Sequence, residues 1–199
     1  MSIILTKLIL IHCFPLPTGK TEQNEIERKQ VEIDQGQDIN QELVVTNFNL
    51  AQEKAFNRKF EEAQAQFTEK EAMVYKQGTT LMIRLKGLEF PVAKAVLKGE
   101  NFPLLAKVQK IIADFGENSV VIEGHTDSNG GMKLNEKLSS ERAAAVKEYL
   151  ISNSPNKTMN ISAIGYGYQK PLATNKTASG RAQNRRVDIL IQPQASQKL

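Results

Sequence analysis

The chain has 199 residues, 40% of them hydrophobic and 24% charged, with 12 Gly, 7 Pro, one Cys and no Trp. That composition excludes a collagen, a disulfide scaffold and a fully disordered chain, and the length suits one ordinary domain with appendages. The net charge of +4 hides a split that would direct an acidic partner to the second piece: residues 1–78 hold 9 Lys+Arg against 12 Asp+Glu, or −3, and residues 79–199 hold 17 against 10, or +7.

Ile3 to Phe14 (IILTKLILIHCF) is an apolar run of about a dozen residues broken by Lys7, too short for a bilayer span of roughly 20. It has the length of a signal-peptide core but lacks the basic segment that precedes one. Cys13 is the only cysteine and cannot form an internal disulfide. It stands where a bacterial lipoprotein signal is lipidated, although His12 occupies a place where such signals carry a small residue. For residues 1–19 a membrane tether, a buried strand and a truncated leader all stay open. Gly19-Lys20-Thr21 echoes the end of a phosphate-binding loop, but Phe14 replaces its first glycine, so no nucleotide site is read there.

Residues 20–47 are rich in Gln, Glu, Asn and Asp and read as a flexible or weakly ordered connector. From Asn49 to about Tyr75 neither Pro nor Gly intervenes, and Phe56, Phe60, Ala63, Phe67 and Val74 form one helical stripe. The stripe predicts a helix packed on the neighbouring domain. As a short coiled coil it would instead pair two chains into a homodimer, for which it is brief.

Gln77-Gly78 ends that helix, and Thr79 to Leu85 (TTLMIRL) reads as a strand. Asn101 and Pro103 open a helix with Leu104, Leu105, Val108, Ile111 and Ile112 on one face, and Gly116 closes it. Ser119 to Glu123 is a second strand, Gly124 to Gly131 a polar loop, Met132 to Ile151 a helix, and Met159 to Ile164 a strand. Pro171 to Asn184 reads as a long loop before a last strand, Arg186 to Gln192. The order strand, helix, strand, helix, strand, strand predicts an α+β fold, a mixed sheet with helices packed on one face and an N-terminal helix before it. The domains are then 1–19 a leader or tether, 20–76 a polar linker and helical spacer, 77–193 the compact unit, and 194–199 a tail.

The helix from Met132 carries an anomaly. At about 100° per residue, Leu134, Leu138, Ala145, Val146, Tyr149 and Leu150 fall in one arc of roughly 160°. Arg142 lands inside that arc, with Asn135 on nearly the same bearing. An unpaired guanidinium there would cost several kcal/mol, so Arg142 needs an acidic partner or an anionic ligand. Asp127, in the loop at the end of the second strand, is the nearest candidate, and a structural Asp127–Arg142 ion pair is as good a reading as a ligand site. Asn184-Arg185-Arg186 tilts the choice, because Arg185 has the parity of Val187 and Ile189, the inward face. Two arginines and an asparagine aimed at one region suit a carboxylate.

These residues match a known family. Gly124-His125-Thr126-Asp127, Asn135, Leu138-Ser139, Arg142-Ala143, Gly165-Tyr166-Gly167, Pro171, Asn175 and Gly180 through Val187 (GRAQNRRV) resemble the OmpA-like C-terminal domain. That family, found also in peptidoglycan-associated lipoproteins and in flagellar stator proteins of the MotB type, binds peptidoglycan non-covalently. The resemblance covers about residues 79–193. It implies that Asp127 accepts from the ammonium of diaminopimelate and Arg142 clamps its carboxylate, with Thr126, Asn135 and Arg185 adding hydrogen bonds. One departure is Phe90 to Ala95 (FPVAKA), where Pro91 and Ala93 stand at places often polar in the family, so that loop would contribute mainly backbone contacts.

Rival readings are weaker. Glu123 and Asp127 as a glycosidase pair would make an enzyme, but Glu123 reads as a sheet-face residue and no nucleophilic motif occurs. No metal or cofactor is expected, since His12 and His125 are the only histidines and lie in different pieces; His125 would hydrogen-bond within its loop. A nucleic-acid module lacks an aromatic platform among its arginines. A stator subunit would need a transmembrane helix carrying an acidic residue. The expected function is therefore anchoring of the outer membrane, or of a stator-like or secretion-system complex, to the cell wall. The expected place is the periplasmic side of a Gram-negative envelope, with the N-terminus as a membrane link.

Overall fold

The computed structural model describes residues 19–86, 88–116, 118–154 and 160–193; the leader, Cys13 and the tail lie outside them. The chain divides into two units, Met1–Gln52 and Glu53–Leu199. Helix α1, Gly19–Ala65, crosses that division. Residues 20–47, expected as a flexible connector, are thus helical. No proline interrupts 19–65, and pairs one turn apart, Lys29–Glu25 at 3.0 Å and Gln30–Asp34 at 3.0 Å, support the helix locally. In the first unit Ile26, Ile33, Val44 and Phe48 are exposed.

The second unit begins with the end of α1, where Phe56 and Phe60 pack against the core and Ala63 is buried within it. The helix does not continue to Tyr75. It stops at Ala65, and Ala72–Gln77 forms strand β1, which pairs antiparallel with β2, Thr80–Leu85. Thr68 and Glu71 make the break: the Thr68 backbone amide and hydroxyl donate to one Glu71 oxygen at 2.8 and 3.0 Å, while Lys107 holds the other at 2.6 Å. Six residue pairs of sheet hydrogen bonding then outweigh the modest helix propensity of that stretch. Val74, assigned to a helical stripe by spacing, is buried from the strand instead. The hairpin straddles a boundary drawn at 76/77, and the compact unit starts at Glu53.

A short turn, Gly99–Asn101, leads into α2, Phe102–Asp114, and then β3, Asn118–Gly124. Helix α3, Met132–Ser152, crosses over to β4, Asn160–Gly165, and a seven-residue helix α4, Ala178–Asn184, precedes β5, Val187–Pro193. The segment expected as one long loop thus contains α4, started by Thr177, whose side chain accepts from the Gly180 amide at 3.0 Å. The sheet is open and mixed, in the order β1-β2-β5-β3-β4, with β3 and β4 parallel and every other pair antiparallel.

Register sorts the faces. Ile83, Ile189 and Ile122 are aligned across β2, β5 and β3, and with Leu81, Ile191, Val120 and Ile161 they join the hydrophobic cluster of α2 and α3. On the opposite face the aligned residues are Arg84, Asp188 and Glu123.

Helix α3 lies almost on the backbone at the ends of β3 and β4. A Cβ at Gly124 would overlap the Ser139 carbonyl, and one at Gly165 the Ser140 amide. Glycine at both places lets the helix carry its inward side chains over the strand ends. Gly124→Ala is expected to destabilise the domain by about 2 kcal/mol in denaturant unfolding, because backbone must move rather than a flexible side chain; unchanged stability would show that α3 adjusts freely.

Candidate ligand-binding site

The buried residues of α3 are Asn135, Ser139, Arg142, Ala143, Val146 and Leu150. The apolar arc drawn from the sequence therefore holds only for the second half of the helix. Leu134 is 60% exposed, and the first half buries polar groups instead. The reason lies in what that half covers, which is the strand ends and loops rather than the hydrophobic core. The Ser139 hydroxyl accepts from the Gly167 amide at 2.8 Å and donates to the Glu136 carbonyl at 2.9 Å.

Asp127 is buried in the loop after β3. One oxygen accepts from the Asn129 amide at 3.0 Å, and the other from Arg185 Nη1 at 2.8 Å. The loop is fixed from two sides. Asn135 Nδ2 donates to the Asn129 carbonyl at 2.9 Å, and the Ser128 amide donates to Asn175 Oδ1 at 3.2 Å. Asn175 is in turn bonded by Asn184 Nδ2 at 2.8 Å, and Asn184 also accepts from the Leu172 and Ala173 amides. Asn184 is fully buried. It clasps the 171–184 segment.

Arg142 is 9% exposed, as the helical wheel demanded, but its partner is not the expected one. Its Nε donates to the Lys94 backbone carbonyl at 3.1 Å, and its guanidinium lies over the Phe90 ring at 4.9 Å. Among the described residues no carboxylate is within ion-pairing distance of it, so the Asp127–Arg142 ion pair is replaced by Asp127–Arg185. Burial lowers the Arg142 pKa first, the Arg185 charge lowers it further, and Asp127 opposes both. The 90–95 segment thus positions an arginine through a ring and a carbonyl. Its turn is closed by Lys94 N–H to the Pro91 carbonyl at 3.0 Å, with Ala93 in the left-handed region at φ 54°. The sequence singled out the 90–95 loop for backbone contacts, and the contact found is the Lys94 carbonyl accepting from Arg142.

Arg185 does reach the site, though not from a buried inward position. It caps the C-terminus of α4 and its side chain is 48% exposed. Parity misled because β5 begins at Val187, and strand alternation says nothing about the residue two places before it. Thr126 is buried, with its amide bonded to the Gly167 carbonyl at 2.8 Å; its hydroxyl has no partner among the described residues. The structure therefore gathers Asp127, Arg142 and Arg185, and gives Asn135 a bracing role.

His125, one residue before Thr126, points into a second cluster on the other face of the sheet. Asp188 accepts from Arg84 through both oxygens at 2.9 and 3.0 Å and from Arg186 at 2.9 Å. Instead of the loop hydrogen bond expected of it, His125 has no partner on either ring nitrogen among the described residues. Its ring stacks on Tyr166 at 5.5 Å, with Nε2 3.7 Å from Glu123 and 3.8 Å from Asp188. Burial above all, then Arg186, Lys170 and Arg84 against the opposing pull of Asp188, push its pKa from 6.5 down to about 4. Glu123, His125 and Asp188 bring ligand-type atoms within 4.8 Å of one another. Three cations already face the two carboxylates, so a further dication would enter a site of net positive charge.

Residues 90–185 match the model of the OmpA family. The chain is 40% identical over 102 residues to outer membrane protein Omp38 of Acinetobacter baumannii, covering 51% of this chain and 29% of that protein. It is 43% identical over 104 residues to outer membrane protein A of Bordetella avium, covering 51% and 52%. The chain therefore spans about half or less of the length of these relatives. Among solved structures, the cell wall anchor of the T6SS from Pseudomonas aeruginosa aligns with a TM-score of 0.58 at 27% identity, over 70% of this chain and 97% of that one. The Asp127, Arg142 and Arg185 group lies in or at the edge of the matched segment, at the strand ends of the sheet: this chain carries an OmpA-family domain over residues 90–185.

Proposed function

We propose that the domain binds peptidoglycan without cleaving it, and so ties the cell wall to an envelope membrane or to an envelope complex. The carrying observation is a buried arginine, Arg142, whose guanidinium is oriented by Phe90 and Lys94 yet has no carboxylate partner among the described residues, beside the carboxylate of Asp127. A carbon bearing both an ammonium and a carboxylate, as in diaminopimelate, complements that pair. The likeness to outer membrane proteins and to a cell wall anchor supports the same reading. So does the state of Asp127, whose two oxygens are tied to Arg185 and Asn129, which suits a receptor better than an acid–base catalyst. The acting place would be the periplasmic side of the envelope. No helix among the described residues is long and apolar enough to cross a membrane, and the stretch before the domain would serve as a spacer from whatever the N-terminus is attached to.

Co-sedimentation with purified sacculi tests this. Wild-type protein is expected in the pellet and Asp127→Ala in the supernatant, with no soluble muropeptides released. Equal pelleting of both proteins would overturn the site, and released muropeptides would overturn the receptor reading.

A further inference from the structure

Asp127 is paired with Arg185 and lies within electrostatic reach of Arg142. The two arginines are held differently. Arg142 is buried and gripped by the 90–95 segment, whereas Arg185 is 48% exposed and its contact with Asp127 is a single bond of 2.8 Å from Nη1. The other oxygen of Asp127 is already used by the Asn129 amide. A ligand ammonium that reaches Asp127 therefore competes with Arg185 for its oxygen, because sharing it would set three cations around one carboxylate. Arg185 can leave at small cost, since an exposed ion pair is weak and the freed side chain is solvated. What it leaves behind is a surplus of positive charge beside the buried Arg142. A ligand that brings only an ammonium adds to that surplus, and one that also brings a carboxylate removes it.

We propose that Arg185 sets the selectivity of the site by exchange: it occupies the Asp127 oxygen that a ligand ammonium needs, and yields it to ligands whose own carboxylate then takes up the guanidinium groups of Arg142 and Arg185. The proposal rests on the stem-peptide reading above. It makes Arg185 a competitor for ammonium groups and a partner for carboxylates. A stem peptide with diaminopimelate at its third position, whose side chain ends in a carbon bearing both groups, is accepted; one with lysine there, whose side chain ends in an ammonium alone, is held off.

The test is calorimetry or fluorescence anisotropy on the full chain with two synthetic stem tripeptides, identical except for diaminopimelate or lysine at the third position. Wild-type protein is expected to favour the diaminopimelate peptide. In Arg185→Gln the lysine peptide should bind about two- to fivefold more tightly than it does to wild type, the range that loss of an exposed competing ion pair allows, and the preference between peptides should shrink accordingly. Arg185→Lys, which keeps the charge without the fork, should remain near wild type on the lysine peptide. A purely structural Arg185 would not move the ratio of the two affinities. If Arg185→Gln binds the lysine peptide no better than wild type does, exchange is overturned and Arg185 is at most a carboxylate contact. Wild-type protein that binds neither peptide overturns the stem-peptide reading itself, and that outcome is visible before any variant is compared.

Discussion

Arg142→Ala is expected to lower sacculus binding by about 30-fold or more, while the melting temperature stays level or rises. Truncating one member of a buried charge recognition pair typically costs about 2–5 kcal/mol in binding, which is roughly 30-fold to several thousandfold. Stability should not fall with it, because the folded protein keeps a guanidinium out of water with only a carbonyl and a ring in return, and removing the group removes that desolvation cost. Arg142→Lys separates charge from geometry: it keeps a cation but loses the fork, and its binding should lie between wild type and alanine. Co-sedimentation and thermal unfolding on the same samples check both halves. A variant that pellets like wild type would remove Arg142 from the site, and one that unfolds would overturn the expected stability.

His125 controls the second large effect, the loss of stability in acid. Its pKa lies at about 4 in the folded chain against 6.5 ordinarily. Below pH 6.5 the unfolded chain takes up a proton that the folded chain refuses, so stability falls as pH drops from about 6.5 to about 4 and levels off below. The size is about 3 kcal/mol, since each pKa unit is worth about 1.4 kcal/mol. His125→Phe keeps the stacking on Tyr166 without a titrating ring, and its unfolding free energy should lose that much less across the window. Urea titrations at pH 7, 5.5 and 4 measure the difference. Parallel curves for the two proteins would mean that the acid sensitivity belongs to the carboxylates alone.

Much of this architecture was legible in the residues. The faces of α2 and β5 and the helix from Met132 followed from apolar period and breakers, signals that depend on each residue's near neighbours. The anomaly of Arg142 was legible for the same reason, since a charged residue at a helical bearing shared with buried ones is visible without coordinates. Where reading failed, distant groups had decided the outcome. Residues 72–77 carry a helix-compatible pattern, yet β2 supplies hydrogen-bond partners that the local sequence does not reveal. Leu134 belongs to an apolar arc but has no core beneath it, because that half of α3 covers loops. Asn184 acts as a clasp, a role set by the Leu172, Ala173 and Asn175 groups it meets and invisible in the local sequence.

The split between an acidic first piece and a basic second one also takes on a narrower meaning. Several of the basic residues in the second piece are structural: Arg84 and Arg186 neutralise Asp188, and Lys107 holds Glu71. The charges that bear on binding are Arg142 and Arg185, with Asp127 between their influences.

The sequence by itself determined which groups are present and which one was out of place: a carboxylate in a strand-end loop, an arginine on a buried helical face, and the motif pattern of the OmpA-like domain. Only the tertiary structure decided how they pair. Asp127 takes Arg185 and leaves Arg142 to the Lys94 carbonyl and the Phe90 ring. The reason is physical. Helical and strand periods are set by backbone geometry within a few residues, whereas the choice of ion-pair partner depends on distances between loops far apart in the chain, which exist only once α3 has packed onto Gly124 and Gly165.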